Sequence, residues 1–171
     1  MEKLIDGNLD YLSADDIYAA VREDTAVNGQ KPYAVIVTCS DSRVPPEHIF
    51  SAGIGELFVV RTAGNVIGDF ERGTVEYAVG HLGVPLVVVM GHTHCGAVGA
   101  ALDTHGEAPQ GSLGKLVTEI KTAIGGERDE LNAVKLNVRN SVARLRESAE
   151  LREVQIAAAV YDIASGKVEW L

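Results

Sequence analysis

The sequence predicts an α/β fold, in which a mainly parallel central β-sheet is flanked by helices and preceded by an N-terminal helical arm. Four short apolar segments are rich in Val and Ile and almost uninterrupted, which is typical of strands covered on both faces. These segments are 33–38, 57–60, 85–90 and 154–161. Helical patterns alternate with them, and strands that alternate with helices pair in parallel through crossover connections.

Three further segments carry apolar residues at the spacing of one helix face. The stripes run through Val75, Val79 and Leu82, through Leu113, Leu116, Val117, Ile120 and Ile124, and through Leu131, Val134, Val138, Val142 and Leu145. The second stripe stops at the glycine pair 125–126, which is a typical helix end. The segment 106–114 (GEAPQGSLG) lacks such a pattern, and we expect it to be a surface loop.

The first 30 residues are predicted to form an amphipathic helical arm. Ser13 and Asp16 resemble a capping box at the entrance to ADDIYAAV. The arm either embraces a neighbouring subunit or covers its own sheet. A length of 171 residues fits one domain, which we divide into the arm at 1–30 and an α/β core at 31–171.

Composition and hydropathy argue against two kinds of partner, nucleic acids and membranes. The chain has 15 Lys plus Arg against 24 Asp plus Glu, a formal charge of −9, which argues against a nucleic-acid partner. Its longest strongly apolar run, 84–90, is far shorter than the roughly 20 residues of a membrane span. The N-terminus lacks the apolar core of a signal peptide. We therefore expect a soluble cytoplasmic protein without a membrane partner.

Residues that can carry chemistry follow two of the predicted strands. Cys39 closes the first strand and begins the run CSDSR, which contains Asp41 and Arg43. His92 and Cys95 follow the third strand in GHTHCG. Ligands bind open parallel sheets at the carboxyl ends of the strands, so the two groups are expected to meet there. Two Cys and one His suit Zn²⁺, and they leave one tetrahedral position for water.

Each of these residues also has a plainer interpretation. Taken singly, Cys39 is a small buried hydrophobe and His92 a hydrogen-bonded loop residue. Taken together with Cys95, the pattern favours a metal site, although the two cysteines can also form one disulfide. Asp41 can ligate zinc, pair with the Arg43 guanidinium, or form a surface ion pair of little energy.

Five segments of the chain resemble the β-class carbonic anhydrases. They are 39–47 (CSDSRVPPE), 56–65 (ELFVVRTAGN), 75–84 (VEYAVGHLGV), 91–98 (GHTHCGAV) and 161–171 (YDIASGKVEWL). The resemblance extends from about residue 7 to the C-terminus. It implies a zinc-dependent carbonate dehydratase that reversibly hydrates carbon dioxide to bicarbonate and a proton, by attack of zinc-bound hydroxide on carbon dioxide.

The resemblance also implies roles for individual residues around one Zn²⁺ per subunit. Cys39, His92 and Cys95 are the implied zinc ligands, and Asp41 is a fourth ligand in a closed state only. Asp41 and Arg43 are the implied catalytic dyad. The ligand set alone is compatible with two other functions, a hydrolase of carbonyl sulfide or carbon disulfide and a non-catalytic zinc-binding protein.

Further positions match the substrate-binding residues of the plant-type branch of the family. They are Gln30, Phe58 and Tyr77, and Gly96 is a fourth substrate-binding candidate. Phe58 lies in a predicted strand and Tyr77 in a helix stripe, so core packing is their alternative role. The family's basic unit is a dimer with pockets at the subunit interface. We therefore expect a homodimer or homotetramer in which Gln30, Phe58 and Tyr77 are interface residues.

Two positions depart from the family pattern. Ile36 stands where the bicarbonate-inhibited branch carries Trp, so we do not expect that branch's allosteric site although Arg61 is present. His94 occupies a position that usually holds a small polar residue. It can assist proton transfer, but we expect a surface or packing role.

Overall fold

Five strands form one sheet at the centre of the protein. They are β1 (Ala34–Cys39), β2 (Leu57–Thr62), β3 (Leu86–His92), β4 (Gln155–Tyr161) and β5 (Val168–Trp170). Their order is β2–β1–β3–β4–β5, with β1 to β4 parallel and β5 antiparallel to β4. The structure, a computed structural model, describes residues 1–13, 18–104 and 110–171. The predicted α/β class with a mainly parallel sheet is confirmed.

Seven α-helices are present in these described ranges. They are α1 (Glu2–Ser13), α2 (Ala19–Asn28), α3 (Pro46–Ile49), α4 (Asp69–Leu82), α5 (Gly96–Asp103), α6 (Gly111–Ile124) and α7 (Glu130–Arg146). A single 3₁₀ turn at Ala63–Asn65 follows β2. None of the described helices is both long enough and apolar enough to cross a membrane.

The sheet is covered on both faces by apolar side chains. On one face the larger cluster joins β1 and β3 to the buried sides of α4, α5, α6 and α7. On the other face a smaller cluster around Ile36, Val44 and Met90 is covered by partly buried residues that include Ile49 and Phe50. Every side chain of β1 is buried, which is why that strand reads as a continuous apolar run.

Each predicted strand begins and ends within two residues of the observed one, and each predicted helix stripe lies in an observed helix. β2 and β3 each continue two residues beyond their predicted ends, because backbone pairing with β1 and β4 extends past the apolar run. The elements α3, α5 and β5 were not predicted. β5 is only three residues long and mostly exposed, so it carries no apolar pattern.

The prediction of a surface loop at 106–114 is wrong for 111–114, which form the first turn of α6. Packing explains the difference. Val117, Ile120 and Ile124 are buried in the core, and their burial stabilises the helix enough to include the glycines at its start. Gly111 itself has φ 77° and begins the helix. Residues 106–109 lie outside the described residues.

The N-terminal arm consists of two helices rather than one. α1 buries none of its residues against this chain, and its apolar side chains Leu4, Ile5, Leu9 and Leu12 are all more than half exposed. The alternative that α1 covers its own sheet is therefore not what the structure contains. Ser13 ends α1 and donates a hydrogen bond to the Asp10 carbonyl. The predicted capping partner Asp16 lies outside the described residues.

Candidate metal centre

Cys39, His92 and Cys95 come together in one buried cluster. Their ligand atoms, two sulfurs and one imidazole nitrogen, all lie within 4.8 Å of one another. Cys39 is 5 % exposed, Cys95 2 % and His92 0 %. Both cysteines are free thiols, so the disulfide alternative is not realised. The three residues that the sequence predicts as metal ligands are therefore adjacent in space.

Strand register places the first two members of the cluster. Thr38 of β1 pairs with Met90 of β3, so Cys39 stands level with Gly91 and one residue short of His92. Both residues end their strands at the same edge of the sheet. Parallel strands bring their carboxyl ends together however far apart they lie in sequence.

A tight turn returns Cys95 to the same point. The Thr93 amide donates to the Tyr161 carbonyl at 3.0 Å, which continues the β3–β4 pairing. His94 then adopts a left-handed conformation with φ 55°, one that non-glycine residues adopt infrequently. Cys95 follows as the residue before the first turn of α5. Its sulfur therefore lies at a helix N-terminus, where the helix dipole favours a thiolate.

His92 presents one unsatisfied nitrogen to the cluster. Its Nδ1 lies 2.9 Å from the Thr93 carbonyl, and a carbonyl can only accept, so Nδ1 carries the proton. The lone pair is thereby left on Nε2, which is buried and has no hydrogen-bond partner among the described residues. A buried acceptor without a partner is costly. A metal ion bound by Nε2 removes that cost, and the donor set of two sulfurs and one nitrogen is the one Zn²⁺ prefers.

The sulfur of Cys39 lies in a set of hydrogen-bond donors. The Gly64 amide donates to Cys39 Sγ at 3.2 Å. Interaction with Cys95, against the effect of burial, lowers the pKa of Cys39. The same interaction raises the pKa of Cys95. The lowered pKa of Cys39 favours its thiolate, which is the form of cysteine that ligates metals.

Arg43 forms a bidentate salt bridge with Asp41. Arg43 Nε donates to Asp41 Oδ1 at 2.9 Å and Nη2 donates to Oδ2 at 2.7 Å, and the Arg43 amide adds a third bond to Oδ1. These bonds lower the pKa of Asp41 well below its usual value. The carboxylate lies 3.9 Å from His92 Nε2. It therefore stands beside the cluster as an ionised hydrogen-bond acceptor.

Two residues secure the CSDSR loop to the sheet edge. Arg43 Nη2 also donates to the His94 carbonyl at 3.1 Å, which ties the loop to the turn after β3. Arg61 of β2 donates from Nε to the Cys39 carbonyl and from Nη2 to the Asp41 carbonyl. Sequence reasoning identified neither Arg61 nor Gly64 as part of this site. Both lie in the segment 56–65, one of the five that resemble the family, and that segment is the sequence signal that could have found them.

His94 lies at the surface next to the cluster. Its side chain is 68 % exposed, and its Nδ1 lies 3.4 Å from Glu130 Oε2. Its backbone contributes more to the site than its ring does, through the turn and the carbonyl that accepts from Arg43. Gly96, a predicted substrate-binding residue, is the first residue of α5, directly after Cys95.

Gln30, Phe58 and Tyr77 are not brought to the cluster of their own chain. Phe58 pairs with Val35 near the start of β2, four residues before the end of the strand, which is about 13 Å of extended chain. The Tyr77 ring packs on Phe58 with centroids 6.2 Å apart, and Tyr77 is half exposed. Gln30 is exposed and lies beside Gly55, just before β2. The three therefore share the opposite end of the sheet.

The chain is similar to carbonic anhydrases in sequence. The family model described as carbonic anhydrase matches residues 34–168. The carbonic anhydrase of Mycolicibacterium smegmatis is 36 % identical in an alignment of 183 positions, gaps included, which covers 97 % of this chain and 89 % of that protein. Carbonic anhydrase 2 of Mycobacterium tuberculosis is 50 % identical over 109 residues, which cover 62 % of this chain and 53 % of that protein.

Two solved structures of β-carbonic anhydrases have a similar fold. The enzyme of Aspergillus fumigatus superposes with a TM-score of 0.86 at 28 % identity, over 99 % of this chain and 89 % of that one. One of two tetrameric enzymes of Sordaria macrospora superposes with a TM-score of 0.87 at 25 % identity, over 99 % and 95 % of the two chains. The similarity therefore extends over both the helical arm and the sheet.

Proposed function

Because the chain belongs to the β-class carbonic anhydrase family, we propose that it hydrates carbon dioxide reversibly on one Zn²⁺ per subunit, held by Cys39, His92 and Cys95. The observation that carries the proposal is the buried cluster of two sulfurs and one nitrogen, in which His92 Nε2 has no other partner among the described residues. Three protein ligands leave a fourth tetrahedral position, as catalytic zinc sites require.

Zinc supplies, when bound, a Lewis acid that makes a water molecule acidic enough to attack carbon dioxide near neutral pH. Asp41 is the residue that would orient this water. Its carboxylate is ionised and lies 3.9 Å from His92 Nε2. With zinc held by that nitrogen, the carboxylate would accept a hydrogen bond from the water and orient it towards the substrate carbon. Because the bonds from Arg43 lower the pKa of Asp41, this carboxylate would serve as a hydrogen-bond acceptor and not as the acid of the reaction.

Arg43 keeps Asp41 in this orientation. With two guanidinium bonds and one amide bond, the carboxylate is held away from the position of a fourth ligand. If Asp41 left Arg43 and turned towards the ligand cluster, it would occupy the position that water needs. The closed state implied by the family resemblance thus differs from the described arrangement only in the partner of Asp41. In the described arrangement that partner is Arg43, and in the closed state it would be the metal.

We further propose that the substrate pocket is completed by a second copy of the chain. Gln30, Phe58 and Tyr77 are at the end of the sheet away from their own metal cluster, so they can line a pocket only at the cluster of a partner. The unburied apolar side of α1 supports the same arrangement, because an exposed stripe of Leu and Ile side chains favours association. A homodimer or homotetramer is the assembly we expect.

The first experiment is stopped-flow hydration of carbon dioxide by the zinc-loaded protein, stepped from pH 7 to 9. We expect turnover that rises with pH, because two thiolates offset the charge of Zn²⁺ and leave the water less acidic than an all-histidine site would. His92→Ala should lose both zinc and turnover, whereas His48→Ala, which changes an exposed histidine, should retain both.

Carbonyl sulfide is the comparison substrate, because the same ligand set serves hydrolases of that compound. Faster turnover of carbonyl sulfide than of carbon dioxide would replace the proposed substrate and keep the site. Zinc-loaded protein that turned over neither substrate at any pH would contradict the proposal and favour a non-catalytic zinc protein.

A further inference from the structure

Two polar side chains interrupt the apolar face of α7. Asn137 and Ser141 are four residues apart and each is 1 % exposed, between Val134, Val138 and Leu145 in the same buried face. Buried polar groups are costly unless they are hydrogen-bonded. Both are bonded, and both bonds lead to the 3₁₀ turn that follows β2.

The two side chains fasten consecutive carbonyls of this turn. Asn137 Nδ2 donates to the Gly64 carbonyl at 2.7 Å. Ser141 Oγ donates to the Asn65 carbonyl at 2.8 Å, and Asn65 Nδ2 donates back to Ser141 Oγ at 3.3 Å. All three bonds are buried. The turn is therefore attached to α7 at two adjacent peptide groups.

The attachment holds a backbone conformation that is unfavourable by itself. Gly64 has φ 65° and Asn65 has φ 49°, so two successive residues are left-handed. A non-glycine residue in this region is strained and persists only where its surroundings hold it. Asn65 is 2 % exposed, and its carbonyl and side chain are both engaged by α7.

The attachment to α7 fixes the orientation of the Gly64 peptide group. Gly64 N–H donates to Cys39 Sγ at 3.2 Å, while the carbonyl of the same residue accepts from Asn137. A hydrogen bond to a thiolate withdraws electron density from the sulfur, and such bonds tune the properties of the metal it ligates. A chain of contacts thus runs from α7 through Gly64 to a predicted metal ligand.

We propose that Asn137 is a positioning residue for the metal centre, which holds the Gly64 amide against Cys39 Sγ and so weakens the electron donation of this thiolate to the metal. The inference rests on the proposed function and deepens it. Two thiolates would otherwise offset the charge of Zn²⁺ and reduce its ability to acidify water. The bond to Cys39 partly restores that ability without adding a charged group.

The test replaces Asn137 by leucine, which has the same number and branching of side-chain heavy atoms and no donor. Asn140→Leu is the matched control, because Asn140 lies on the same helix and donates to Glu119 instead of to the turn. For zinc-loaded wild type and both variants, we would measure zinc content and the pH profile of kcat/KM. For the Co²⁺-substituted proteins, we would measure the energy of the sulfur-to-metal charge-transfer band.

For Asn137→Leu we expect full zinc content, a pH midpoint above that of wild type, and a charge-transfer band at lower energy. The loss in kcat/KM should be about 10-fold at pH 7 and smaller at pH 9. Asn140→Leu should match wild type in each measurement. A folded Asn137→Leu variant with an unchanged midpoint and an unchanged band would overturn the inference, and so would an equal loss at every pH.

A measurement on the native sequence covers the case in which Asn137→Leu does not fold. In the ¹¹³Cd-substituted wild-type protein, the Gly64 amide proton should show scalar coupling to the metal through the N–H···S bond, and the Asn140 side-chain amide should not. A Gly64 amide without coupling would overturn the inference. Wild type that binds no metal would overturn the proposed function as well, whereas active wild type without the coupling overturns the inference alone.

Discussion

The guanidinium of Arg61 donates to the backbone carbonyl of Asp41 at 2.6 Å and thereby links the second strand to the loop that carries the proposed water-orienting carboxylate. A second bond from the same side chain reaches the Cys39 carbonyl at 3.1 Å. Both contacts are made to backbone atoms. Arg61 therefore holds the path of the loop, while Arg43 holds the carboxylate itself.

Arg61→Met should lower kcat/KM for carbon dioxide by about 10-fold with zinc retained, because the loop loses two donors while the metal ligands remain. Zinc content and stopped-flow rates measure this. Arg61→Lys should recover part of the activity, since an ammonium can still donate to one carbonyl. Equal activity in wild type and Arg61→Met would mean that the loop needs no support from β2.

Arg43→Ala should bind zinc with wild-type stoichiometry and lose most of its activity, by at least about 10-fold. The reason is that Asp41 loses the two guanidinium bonds that orient it. Arg139→Ala, an exposed change on α7, is the control and should turn over as wild type does. Normal turnover by Arg43→Ala would assign Arg43 a purely structural role.

Removal of zinc with a chelator should lower the Tm, because ligand binding to the native state stabilises it by mass action. At free zinc about a thousand times its Kd, the contribution is about 4 kcal/mol, which corresponds to about 8 °C or more for a chain of this size. Calorimetry before and after zinc is restored measures this. A Tm that does not respond to zinc would contradict a site built from Cys39, His92 and Cys95.

Gly64→Ala should destabilise the protein by about 2 kcal/mol or more. A Cβ at Gly64 would lie 2.7 Å from Ile120 Cδ1 and 3.1 Å from Ala97 Cβ, in a left-handed conformation. Gly73→Ala is the matched control, because a Cβ there meets nothing within 4 Å and alanine favours the interior of α4, by about 0.5–1 kcal/mol. Denaturant unfolding should therefore separate the two variants in opposite directions from wild type.

Leu9→Asp should weaken self-association. Leu9 is 59 % exposed in the single chain and shares one side of α1 with Ile5 and Leu12, so a charge there opposes burial against a partner. Gly7→Asp, on the opposite side of the same helix, adds the same charge away from this stripe and is the control, because a Cβ at Gly7 meets nothing within 4 Å. Light scattering across a concentration series measures the mass. Identical masses for the two variants would remove α1 from the interface.

Periodicity was sufficient for the sheet because its central strands are buried on both faces. The run of apolar residues in β1 marks it directly, and the same holds for β3. β5 gave no such signal, since an exposed edge strand of three residues has neither an apolar run nor alternation. The helical start of α6 was hidden by its glycines, whose low propensity is overridden by the buried stripe that follows.

The ligand cluster could be predicted because parallel topology alone brings Cys39 and His92 to one edge of the sheet. Spacing then places Cys95 within reach. The position of Gln30, Phe58 and Tyr77 could not be read in this way. Their places follow from the register of β2 and the packing of Tyr77 on Phe58, which put them at the far end of the sheet.

The sequence by itself determined the fold class and the residues of the candidate metal cluster, because both depend on strand order and residue type. The tertiary structure decided what surrounds the Cys39 sulfur. Asn137 looks from the sequence like a polar residue in an apolar helix face, and Gly64 like one of 18 glycines. Only when α7 packs across the sheet do the two meet, because a hydrogen bond depends on the position of both partners and the sequence lists only their identities.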